Sequence, residues 1–215
     1  MELKLRKEKV ATIFIYVFYV VGICGFLLPE FITYFKQLIP LALIVSFILL
    51  VVFQPREAIN RSFILVFTGI YFSGLIIEMI GVNTGVVFGE YSYGSNLGFK
   101  LLNTPIIIGL NWLILVYTSS ALFEKLRIHN LYKIVMATIC MLGYDIVLEK
   151  IAPETGMWSW SGMEVPLKNY VAWFIISFIF QAVIKVNGIK TENAVAKDLF
   201  ISQFIFFMIL SIFLQ

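Results

Sequence analysis

Charge is scarce in this chain. Asp, Glu, Lys and Arg make up 13% of its 215 residues, where a soluble domain carries about a quarter. That deficit leaves no soluble domain of useful size. The two cysteines, Cys24 and Cys140, both fall in apolar stretches, which excludes a disulfide framework and a cysteine metal site. The single histidine, His129, stands in a Lys/Arg-rich loop, so no zinc or haem constellation can be assembled. No phosphate-cradling glycine motif is present either. The residues thus signal no metal and no cofactor, and no nucleic-acid partner is expected.

What is present is apolar sequence, 60% of the chain with a mean hydropathy of +0.94. It comes in blocks approaching the roughly 20 residues that cross a bilayer. Seven segments can be marked, at about 10–28, 38–53, 62–80, 105–122, 132–152, 169–184 and 199–214. The second, sixth and seventh are short, and flanking residues complete a span. The expected fold is all-α: a polytopic, multi-pass bundle of about seven transmembrane helices, forming one integral membrane domain over 1–215 in the cell membrane. The start, Met-Glu-Leu-Lys-Leu-Arg-Lys-Glu-Lys, precedes an apolar run with no evident cleavage site. It reads as a retained first helix, not as a removed signal peptide.

Basic residues give the orientation. With the N-terminus in the cytoplasm, 12 of the 16 Lys and Arg fall on the cytoplasmic side, and only Lys36, Lys100, Lys150 and Lys168 on the other. This matches the positive-inside rule and puts the loops at about 81–104 and 153–168 on the non-cytoplasmic side.

Those two loops read as copies. Glu78 and Glu149 are 71 residues apart, as are Thr84-Gly85 and Thr155-Gly156. Tyr91-Ser92-Tyr93 is answered by Trp158-Ser159-Trp160, and Asn111-Trp112 by Asn169 and Trp173. The pattern predicts a parallel repeat of helices three–four and five–six, with units at about 62–122 and 132–184. Sites in repeat-built membrane proteins often lie between repeats.

An Asp at the centre of a membrane helix costs roughly 2.5–3.5 kcal/mol on insertion scales and is functional by default. Asp145 lies well inside the fifth segment, with Glu149 and Met141 one turn away on the same face. Glu78 closes the third segment, with Thr68 and Tyr71 on roughly its side. Asn169, Trp173, Ser177 and Gln181 form a stripe on the sixth, and Asn111 and Thr118 one on the fourth. These stripes converge on a polar pocket in the outer half of the bundle. Bland readings exist for most of them. Glu149 beside Lys150 fits a membrane interface, the Tyr and Trp residues fit an aromatic belt, and the asparagines fit interhelical hydrogen bonding. Glu154 and Glu164 read as solvated charges. Asp145, with no basic residue one turn away, resists such a reading.

A buried carboxyl group is driven towards its protonated form, the requirement for general acid catalysis. Tyr and Trp faces attract cations. The ensemble suits protonation of an alkene and capture of the cation by water held on Asn or Tyr.

Several linked motifs are similar to a known family. Glu-x-x-Gly-Val-x-Thr-Gly-x-x-Phe-Gly-x-Tyr-x-Tyr runs from Glu78 to Tyr93 and Pro-Ile-Ile-Ile-Gly-Leu-Asn-Trp from Pro105 to Trp112. Tyr-Asp-Ile-Val-Leu-Glu-x-x-Ala-Pro runs from Tyr144 to Pro153, then Trp-Ser-Trp from Trp158 and Val-Pro-Leu-Lys-Asn-Tyr-Val-Ala-Trp-Phe from Val165 to Phe174. Across about 62–180 the chain resembles the carotenoid biosynthesis proteins that include the carotenoid 1,2-hydratases and bisanhydrobacterioruberin hydratases. The resemblance implies a membrane enzyme that adds water to the terminal 1,2 double bond of an acyclic carotenoid end, giving a tertiary alcohol, with a lipophilic substrate drawn from the bilayer. It carries no residue roles. From the chemistry, Asp145 or Glu78 is the expected proton donor, and Glu149 and Glu90 position water. Asn83, Asn111, Tyr144 and Asn169 are hydrogen-bonding candidates, with Tyr91, Tyr93, Trp112, Trp158, Trp160 and Trp173 as aromatic substrate contacts. A carotenoid end cyclase, which shares the protonation step but closes a ring, or another isoprenoid membrane enzyme is the alternative. A small transporter also fits seven helices with a parallel repeat, although the polar residues cluster on one side.

Overall fold

The computed structural model describes residues 2–162 and 164–214, with the side chains of residues 2–4 outside the description. It is a bundle of helices: α1 (Glu2–Leu27), α2 (Ile32–Gln37), α3 (Ile39–Val52), α4 (Arg61–Thr84), α5 (Ile107–Phe123), α6 (Asn130–Glu149), α7 (Leu167–Val186) and α8 (Ala196–Phe213). Each of the seven apolar segments is helical. Five of these helices, α1, α4, α6, α7 and α8, are long and apolar enough to cross a membrane. α3 and α5 are shorter, at 14 and 17 residues, or about 21 and 26 Å at 1.5 Å per residue.

α5 is the interior helix. It packs against α4, α6 and α8, and also touches α3 and α7. Its run from Ile114 to Ser120 is wholly buried. An interior helix is apolar all round, which is how this one reads. α1, α3 and α4 instead expose Val17, Val20, Ile48, Val52, Leu65 and Phe72 outward, the surface expected to face lipid.

Local signals set the ends. Asn60 Oδ1 accepts from Phe63 N at 2.9 Å and caps α4. Gly85 ends that helix in the left-handed region, φ +63°, its N–H returning to Gly81 O. His129 Nδ1 accepts from Leu131 N at the start of α6, which accounts for the lone histidine.

The loops contain strands that an all-α reading does not include. β1 (Tyr91–Tyr93) pairs antiparallel with β4 (Trp158–Trp160), Ser92 opposite Ser159 and each Tyr opposite a Trp. β2 (Lys100–Leu101) and β3 (Thr104–Pro105) form a hairpin through Leu102 and Asn103, both at positive φ, as a type I′ turn requires. The two loops that resemble each other in sequence are thus joined edge to edge over the ends of α4 and α6.

Candidate active site

In a strand, alternate residues face the same way. Ser92 and Ser159 are exposed, while Tyr91, Tyr93 and Trp158 are buried and Trp160 is half-buried. The inward side chains reach Glu78, nearly two turns before the end of α4, and Glu149, at the end of α6. Tyr91 Oη and Tyr93 Oη donate to Glu78 Oε2 at 2.7 and 2.6 Å, and Trp112 Nε1 donates to Glu78 Oε1 at 2.9 Å. Trp158 Nε1 and Trp160 Nε1 donate to Glu149 Oε2 at 3.0 and 2.7 Å. Each carboxyl is therefore held by the aromatic pair of the loop that follows its own helix. Burial, with Glu78 beside them, pushes the Tyr91 and Tyr93 phenols up, so both keep the protons they donate.

Asn169 Nδ2, at the start of α7, donates to Asp145 Oδ2 at 3.0 Å and makes a longer contact of 3.4 Å to Glu149 Oε1. Asp145 is wholly buried, and its Oδ1 has no hydrogen-bond partner among the described residues. Among the described residues the one ion pair is Lys185 with Glu124, at the far end of α5 and about 18 Å along its axis from Trp112. Glu78, Asp145 and Glu149 therefore sit inside the protein on hydrogen bonds from neutral groups, an arrangement that costs free energy and makes them candidates for a functional role.

Glu78 and Glu149 line one small chamber with a cavity volume of about 30 Å³. Since a water needs roughly 10–15 Å³ on this measure, the chamber holds about two. Tyr91, Tyr93, Trp158, Trp160, Asn169 and Trp173 wall it. Trp112 and Trp173 stack with ring centroids 4.1 Å apart and planes 20° apart. Trp112 fits there because α4 offers Gly74, where a Cβ would come within 2.9 Å of the indole. Asn111 also lines the chamber, and its amide makes no hydrogen bond among the described residues.

The structure separates the remaining candidates. Asp145 does not line the chamber; Asn169 stands between. Glu90 is exposed and contributes only its backbone carbonyl, to Ser161 N. Asn83 donates to Met79 O and Leu102 O and accepts from Asn103 Nδ2, pinning the β2–β3 turn to α4. Tyr144 is buried against Phe200 and Phe207, in an apolar cleft next to the chamber. Tyr71 donates to Ile106 O, and Thr68 lines a different groove. Phe88 and Ile108 complete the chamber wall. Sequence reasoning missed both, because an apolar residue in an apolar run carries no distinguishing signal.

The carboxyl-lined, aromatic-walled chamber lies inside a bundle with five helices long and apolar enough to cross a membrane, the class of a helical membrane protein. The sequence matches the model of a family described as carotenoid biosynthesis protein over residues 37–215, and the chain belongs to that family. It is 28% identical over 113 residues to the bisanhydrobacterioruberin hydratase of Haloarcula japonica, a match covering 46% of this chain and 36% of that protein. The chain thus spans about a third of the length of that relative. No solved structure matches it.

Proposed function

We propose that the protein is a carotenoid hydratase that adds water to the terminal double bond of an acyclic carotenoid end. The observation that carries this reading is the chamber. Two carboxyl groups face a space the size of about two waters, walled by aromatic rings and embedded in apolar helices. Family membership and the hydratase relative support it.

In the proposed reaction Glu149 transfers a proton to C2 of the terminal double bond. A tertiary cation forms at C1. Trp173, Trp160 and the tyrosine rings face it, and Glu78, with three hydrogen-bond donors on its two oxygens, serves as the counter-anion. Water held at Asn111 attacks C1. The proton that the water sheds returns to the carboxylate, so the acid is regenerated and the net change is one water added. Asp145 acts as a positioning residue. It holds Asn169, which in turn orients Glu149. Glu149 thus takes the donor role in place of Asp145, which does not line the chamber, and of Glu78, because of the two carboxyls that do line it Glu149 has the less encumbered oxygen, Oε1, with one contact at 3.4 Å against 2.9 Å at Glu78 Oε1.

The same proposal includes a seven-span bundle with a cytoplasmic N-terminus and a duplicated unit, α4–α5 and α6–α7. The matched aromatic pairs on Glu78 and Glu149 and the antiparallel β1–β4 contact support the duplication. Expression in cells that accumulate lycopene, followed by mass analysis of the pigments, tests the activity. A pigment heavier by water is expected. A pigment of unchanged mass with an altered spectrum would point to cyclisation, and unaltered lycopene beside demonstrated protein would remove the enzyme reading.

A further inference from the structure

The chamber is too small for the chain it must act on, but it does not stand alone. A cleft of about 260 Å³ adjoins it, and Ile108, Asn111 and Trp158 line both spaces. The cleft lies where helices fail to close. α1 packs on α8, and α3 on α5, leaving a gap between them. Val21 of α1 and Leu41 of α3 line the gap and are both about half exposed, at 53% and 50%. They mark a mouth on the side of the bundle. From the neck at Asn111 the cleft runs past Leu210 to Gln203, two turns or about 10 Å along α8. There Tyr19 and Gln203 bond to Ser46 and form a polar floor.

We infer that this cleft holds the end portion of an acyclic polyene chain, which enters sideways between α1 and α3 and presents its terminal double bond to the chamber past Asn111. This rests on the hydratase reading and names where its substrate binds. The walls are almost entirely apolar, and no charged side chain among the described residues lines them. That favours a hydrocarbon and disfavours a headgroup. The volume falls below the roughly 300–1,000 Å³ that encloses a whole drug-sized ligand. It therefore suits one end of a long chain whose remainder stays in the bilayer through the Val21–Leu41 mouth. A second groove, about 480 Å³ between α3 and α4, shares no lining residue with the chamber. It is the natural control.

The test is lycopene binding to the purified protein in lipid nanodiscs, read as bound pigment per protein and as a shift of the polyene absorption bands. Neither readout requires turnover. Ala42 lines the cleft and Thr68 the second groove. Ala42→Phe is expected to lower lycopene affinity about tenfold, equivalent to ~1.4 kcal/mol, and Ala42→Leu to give an intermediate loss. Thr68→Phe is expected to bind as the wild type does. In a second measurement, a diazirine-bearing acyclic isoprenoid should label Leu43 and Phe206 in the cleft and leave Leu113, half-buried in the second groove, unlabelled. Wild-type binding by both Ala42 variants, or loss and labelling confined to the second groove, would overturn the inference. Lycopene bound in the cleft but never hydrated would leave the inference standing and remove the hydratase reading.

Discussion

Trp112 and Trp173 lie face to face with centroids 4.1 Å apart, one on α5 and the other on α7. The stack joins the helix pair carrying Glu78 to the pair carrying Glu149, and one of its members is itself bonded to Glu78. The site is therefore a seam between two halves. Trp173→Leu is predicted to lower stability by about 2–4 kcal/mol, combining lost aromatic pairing with lost volume, and to reduce turnover more than Trp173→Phe does. Thermal unfolding and pigment conversion on the same preparations check this. Equal turnover in the two variants would show that the ring face is not used.

Asp145 is behind the chamber, bonded to Asn169. Because Asp145 acts only through Asn169, Asp145→Asn is predicted to cut product formation by about tenfold, equivalent to ~1.4 kcal/mol, and less than Glu149→Gln does, while the protein stays in the membrane. Near-normal conversion would remove Asp145 from the account.

Tyr93 donates to Glu78 at 2.6 Å, whereas Glu90 faces outward. Tyr93→Phe should cost about 1.5–3 kcal/mol, the range for a hydrogen bond to a charged group, and should depress conversion. Glu90→Gln should leave both stability and conversion unchanged. A large loss in Glu90→Gln would contradict the placement of the chamber.

Glu124 accepts from Lys185 and Thr191 at the far end of α5. Burial works to raise its pKa, but these donors outweigh burial and hold the carboxyl below the usual range. A depressed folded pKa gives stability that is present above the unfolded value, about 4.3, and is lost as pH falls through the folded value. The melting temperature in nanodiscs is predicted to fall on acidification below about pH 4.3, and to fall less in Glu124→Gln. An identical acid slope in the variant would show that the pair does not contribute.

Much of the site was legible because polar groups in apolar sequence are conspicuous. Glu78, Glu149, Asn169 and the two aromatic triplets all stand out in a chain with so little charge. Strand parity was not legible. It turns Tyr91 and Tyr93 inward and Glu90 out with Ser92, a distinction that helical periodicity cannot make. The place of Asn83 was not legible for a related reason: it lies five residues beyond Glu78, on another face of α4, and bonds to the hairpin turn. Depth was legible for Asp145, but its screening by Asn169 depends on how α6 meets α7. The apolar cleft left no trace in the sequence, because its lining is indistinguishable from lipid-facing residues until α1 and α3 are seen to part.

The most direct measurement is conversion of lycopene in nanodiscs prepared in heavy-oxygen water, comparing the wild type with Glu149→Gln. A pigment carrying one heavy oxygen per hydrated end is expected in the wild type and none in Glu149→Gln. Labelled product in Glu149→Gln at the wild-type rate, or a wild-type product without the label, would contradict the proposed reaction.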